Sequence, residues 1–166
     1  MSFLDTNTTH ATHVTTEANQ MDAAVSTKQT ATFQCLVVSA HGTMREMLTR
    51  SVNEAGWDAV VCSDAGDART AVQRDRFQMA LVDLQDLTLD ETASFRQLSE
   101  RIASSPGPLL VLCGNEGDGM EEIWARQLGA WLYLPGVDLD SDLMSLCAEA
   151  LPVAEKLIGD SAASTY

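Results

Sequence analysis

The chain has 166 residues, carries a formal net charge of -14 and is 45% hydrophobic. That length fits one domain with an appendage, and the apolar fraction is enough for a core. The charge excludes a broad basic footprint for nucleic acid and favours basic protein partners.

Residues 1–32 are rich in Thr, Ala and Asn and poor in large apolar side chains. They cannot bury enough surface to offset ordering entropy, so a disordered N-terminal arm is expected. His10 and His13 lie in it, three apart, but without further ligands they make no metal site. A regular domain is expected over 33–158, with a C-terminal tail over 159–166.

Within the domain the periodicity alternates. Cys35-Leu36-Val37-Val38 reads as a first strand, and Met44, Met47, Leu48 and Val52 follow at helical spacing over 43–55. Gly56 closes that helix. Ala59-Val60-Val61-Cys62 is a second strand, and Asp64 caps a helix over 65–74 with Ala68, Ala71 and Val72 inward. A third strand, Met79 to Val82, ends on Asp83. Asp90 is expected to cap a helix holding Phe95, Leu98 and Ile102, which stops before Pro106. Leu109-Leu110-Val111-Leu112-Cys113 is a fourth strand. Asp118 opens a helix that runs to Leu128 and is closed by Gly129. Trp131-Leu132-Tyr133-Leu134 is a fifth strand. Asp140-Ser141 starts a last helix, in which Pro152 marks a bend or a weak point.

Strands that are apolar throughout are buried on both faces, which implies a parallel sheet between two layers of helices. The expected fold is α/β, flavodoxin-like and doubly wound, with five strands in the order 2-1-3-4-5 and five helices. No Gly-rich phosphate loop follows the first strand, where Ser39-Ala40-His41-Gly42-Thr43 has a single Gly. Four cysteines, Cys35, Cys62, Cys113 and Cys147, lie far apart in apolar stretches, with no C-x-x-C pair. They read as buried thiols in a reducing compartment. With neither a membrane span nor a signal peptide in view, a cytoplasmic protein is expected.

Chemistry in an open parallel sheet sits beyond the carboxyl ends of its strands, where Asp83 lies. The stretch from 34 to about 156 resembles a response-regulator receiver domain. The resemblance rests on Leu36-Val37-Val38 followed by Thr43-Met44-Arg45, on Leu81-Val82-Asp83-Leu84 and on Gly129-Ala130-Trp131-Leu132-Tyr133-Leu134-Pro135. It implies that Asp83 is the equivalent of the phosphoacceptor.

The departures bear on that role. The resemblance calls for an acidic pair after the first strand to hold magnesium, and Ser39 and Ala40 stand there. Magnesium wants hard oxygen ligands and neutralises the transferring phosphoryl group. The hydroxyl expected at the end of the fourth strand is the thiol of Cys113, a weak donor. The Lys that the resemblance calls for before the Pro of the fifth strand is absent from Leu134-Pro135-Gly136-Val137, and the only lysines are Lys28 and Lys156. Phosphoryl transfer rests on positioning and electrostatics, so these losses remove most of its support. His41 beside Asp83 is a possible base or substitute cation, though a loop His is more often exposed or hydrogen-bonded.

The reading is a degenerate, pseudo-receiver domain that is not an enzyme, needs no cofactor and acts by phosphorylation-independent protein–protein interaction. The alternative is an atypical response regulator phosphorylated on Asp83 with magnesium. A second alternative is a small enzyme using Cys113 and His41, against which stand the lack of an elbow motif and the inertness of a buried thiol. The expected interaction surface holds Trp124, Trp131 and Tyr133, the last two sharing a face of the fifth strand. Acids around it would select a basic partner, either another signalling protein or a second copy of the chain. Nucleic acid and membrane are not expected partners.

Overall fold

A computed structural model of the chain describes residues 32–164. Residues 1–31 of the expected arm, with His10, His13 and Lys28, lie outside the described residues. Ten elements alternate: β1 Gln34–Val38, α1 Gly42–Glu54, β2 Asp58–Cys62, α2 Ala65–Arg74, β3 Met79–Asp83, α3 Leu89–Ala103, β4 Leu109–Gly114, α4 Gly119–Leu128, β5 Leu132–Pro135 and α5 Leu143–Ala163. The strands form one sheet in the order β2-β1-β3-β4-β5. All four pairings are parallel, as expected from strands apolar on both faces.

The sheet separates two apolar clusters. Alternate residues of one strand point to opposite faces, so Cys35 and Val37 enter one cluster, Leu36 and Val38 the other. The first cluster is closed by α1 and α5, through Met47, Leu48, Val52, Leu143, Cys147 and Ala150. Trp57 completes it, its indole N–H donating to the Cys147 carbonyl at 2.8 Å. The second lies under α2, α3 and α4, where Ala68, Phe95, Leu98, Ile102 and Ala125 face inward at helical spacing. Among the described residues, no helix is long and apolar enough to cross a membrane.

Three helix ends differ from the sequence-based expectation. The cap of α3 is Thr88 rather than Asp90. Its hydroxyl accepts from the Glu91 N–H while Glu91 accepts from the Thr88 N–H, a reciprocal capping box. Asp90 sits in the first turn, where its charge complements the helix dipole. The cap of α5 is Asp142 rather than Asp140-Ser141, because Ser141 closes a separate turn with Asp138. At its other end α5 runs through Pro152 to Ala163, so residues 159–163 belong to the helix and not to a tail. Alanines at 162 and 163 favour that continuation.

Candidate functional site

β3 ends on Asp83 between β1 and β4, and in register with Cys113. Central strands bury their ends, and Asp83 is 0% exposed. Both of its carboxylate oxygens are engaged. Ser39 Oγ donates to Oδ2 at 2.8 Å, and Oδ1 accepts from the Gln85 N–H at 3.1 Å and the Gln85 side-chain amide at 3.2 Å. The flanking strands and the Gln85 turn cover it.

The Ser39 hydroxyl also accepts from the His41 N–H at 3.3 Å. His41 is exposed and its Nε2 lies 3.1 Å from the Gln85 carbonyl, so Nε2 carries the proton in that contact. Ala40 is half-buried against the second cluster. Arg45, which was not marked as a site residue, donates from Nη1 to the Ser39 carbonyl at 2.9 Å. It lies one turn into α1, and the basic residue there was the available sign.

Cys113 is fully buried in the first cluster. Burial first, then the charge of Asp83, then Cys147, push its thiol far above the ordinary range. It is therefore a protonated thiol with no base against it. His41, the base suggested for it, is bonded to Gln85 instead.

Beyond β4 a second polar cluster begins that the sequence reading missed. Asn115 donates its side-chain amide to the Leu84 carbonyl at 3.2 Å and accepts from the Asp86 N–H at 3.0 Å. Its backbone N–H donates to Glu121 Oε1 at 2.9 Å. Glu121 is 2% exposed, and the Tyr133 hydroxyl donates to it at 3.1 Å. Arg96 lies 3.8 Å from the other Glu121 oxygen and stacks on the Trp124 ring at 4.7 Å. One chain of contacts thus joins the turn after Asp83 to α3, α4 and β5. The Tyr133 ring lies directly over Gly114, where any Cβ would overlap it.

The three aromatic residues are all half-buried but do not share one face. Trp131 precedes β5 and packs against the first cluster, whereas Trp124 and Tyr133 pack against the second. Strand alternation holds only within a strand, and Trp131 stands just outside it. The exposed apolar side chains here are instead Met120, 74% exposed, and Ile123, 50% exposed. Asp118 caps α4, the helix that carries them, and Glu122 lies in its first turn.

No protein-family model and no curated protein sequence matches the chain. Solved structures do. A CheY-like response regulator receiver domain protein from Methanospirillum hungatei superposes with a TM-score of 0.64 at 20% identity, covering 76% of this chain and 98% of that one. A response regulator from Thermotoga maritima gives 0.60 at 18%, covering 73% and 98%. A structure described as adenylate cyclase from Rhodopirellula baltica gives 0.63 at 16%, covering 78% and 95%. The fold is that of the receiver domain.

Asp83 stands at the end of β3, the place that the sequence resemblance implies for the phosphoacceptor. The donors around it do not fit magnesium. Ser39 and Ala40 supply no second carboxylate, both Asp83 oxygens are already bonded, and the Gln85 carbonyl is taken by His41. Among the described residues, no group of three or more His, Cys, Asp or Glu side chains is placed to hold a metal.

Proposed function

We propose that the chain is a receiver-fold signalling adaptor that works by protein–protein contact, without phosphorylation of Asp83, without magnesium and without catalysis. One observation carries this reading: Asp83 is completely buried, with both oxygens occupied by Ser39 and Gln85. An attacking carboxylate needs a free oxygen, a metal to neutralise the phosphoryl group and a cation beside it. Here the first is engaged, and Ser39, Ala40 and Leu134 stand where the resemblance would have the other two supplied. Incubation with a small phosphodonor and magnesium is expected to leave the intact mass unchanged. A stable gain of one phosphate, lost in Asp83→Asn, would establish the atypical response regulator instead.

The contact surface proposed is α4. Met120, Ile123 and Trp124 are spaced at i, i+3 and i+4 and form one apolar stripe. Asp118 at the cap and Glu122 in the first turn of the same helix put negative charge beside it. A second copy would bring acid against acid, so the partner that fits is a different protein with an apolar centre and a basic rim. Central apolar anchors of this kind typically contribute about 2 kcal/mol or more when they are hot spots. Ile123→Glu is therefore expected to abolish capture of that partner with the melting temperature unchanged. Arg50→Glu, on the far helix α1, is expected to leave capture intact. Equal loss in both variants, or none in Ile123→Glu, would move the interface elsewhere. Concentration-dependent dimerisation abolished by Ile123→Glu would assign the surface to self-association.

A further inference from the structure

At the opposite end of the sheet from Asp83, a cavity of about 500 Å³ opens under the first residues of β1 and β3. Its walls come from both sides of the sheet. Leu36, Val72, Phe77 and Ile102 belong to the second cluster, and Ala154 belongs to the first. The last turns of α5 reach beneath the sheet and bring Leu157 and Ile158 to the mouth, where both are exposed. That volume lies within the usual range for sites that hold a small organic molecule.

The polar groups at the wall are chiefly donors. Gln78 lines the cavity, and its Oε1 accepts from the Gln34 N–H at 2.7 Å, which assigns the amide orientation and leaves Nε2 as its donor end. Among the described residues, nothing bonds to that Nε2, and nothing pairs with Arg76. The carboxylate at the wall, Asp75, is held by Arg74 at 3.0 Å. Arg74, Arg76 and Arg101 gather at this end of α2 and α3, three of only ten Lys and Arg residues in a chain of net charge -14. An apolar cavity with an unpaired guanidinium and an amide donor at its wall complements one class of molecule.

We infer that this cavity binds a small monocarboxylate with an apolar tail, the tail between Phe77, Ile102 and Leu157 and the carboxylate on Arg76 and Gln78. A guanidinium pairs with a carboxylate through parallel N–H donors, which a neutral hydroxyl cannot match. The inference is independent of the fate of Asp83 and of the partner on α4.

The test uses the full chain, with octanoate as probe and 1-octanol as its neutral counterpart. Octanoate is expected to give saturable amide shifts in residues 72–80, 102–108 and 154–161, with Ser39 and Asp83 unmoved. Octanol should bind roughly tenfold or more weakly, the range of one hydrogen bond to a charged group. Arg76→Ala should weaken octanoate by a similar factor and leave octanol unchanged. Leu157→Asp, at the exposed mouth, should weaken both without loss of fold. Absence of saturable shifts in these segments would overturn the inference. So would equal affinity for acid and alcohol, or octanoate binding indifferent to Arg76→Ala.

Discussion

At the scale of the residue, Asp83 is, under the proposed function, a structural acceptor rather than a reactive group. It answers the Ser39 hydroxyl and the Gln85 N–H, two donors that would otherwise be unsatisfied in a buried place. Removing the acceptor costs the desolvation of the donors it served, whereas the amide of Asn keeps its oxygen for Gln85 and donates to the Ser39 hydroxyl, which can accept. Asp83→Ala is therefore expected to lower unfolding free energy by about 2 kcal/mol or more, and Asp83→Asn by less than about 1 kcal/mol, in urea titrations. Equal effects would mean that the carboxylate charge, not its hydrogen bonding, holds the turn. The composition of this pocket was legible in the sequence, since Ser39, Ala40 and Cys113 follow from strand ends that periodicity locates. The bonding was not legible. Nothing in the order of residues says that Gln85 turns both of its donors onto Asp83, or that His41 reaches the Gln85 carbonyl.

At the scale of the element, periodicity located every strand and helix core, and polar chemistry decided their ends. Thr88 and Asp90 both stand where a helix can begin, and the choice falls to Thr88 because Glu91 three residues on completes the reciprocal pair. Thr88→Ala should cost about 1 kcal/mol, and Asp90→Ala, which removes only a charge in the first turn, a few tenths. A larger loss at Asp90 in thermal unfolding would return the cap to that residue. The Asn115, Glu121 and Tyr133 cluster has no periodic signature at all. It depends on Gly114, whose missing side chain makes room for the Tyr133 ring from further along the chain.

At the scale of the whole molecule, the buried thiols set the response to alkali. Burial lifts Cys147 from 9.0 to about 11, and Cys35 and Cys113 are raised as well, by burial first. Below about pH 8.5 these thiols are protonated in both folded and unfolded chains and contribute no pH dependence. Between pH 9 and 11 the unfolded chain has released protons that the folded chain keeps, so stability falls as pH rises. Cys147 alone should account for about 1 kcal/mol per pH unit over most of that window. Urea midpoints are expected to hold from pH 7 to 8.5 and drop beyond 9, with a shallower drop in Cys147→Ala. An unchanged slope in that variant would show that Cys147 is open to solvent. The seat of Tyr133 over Gly114 bears on a different quantity, the population of binding-competent molecules. A surface already in the form its partner recognises loses no affinity to selecting a minor conformer. Under the proposed function, occupancy of the complex then follows the abundance of the two proteins, and the signal is set by how much of the chain the cell makes.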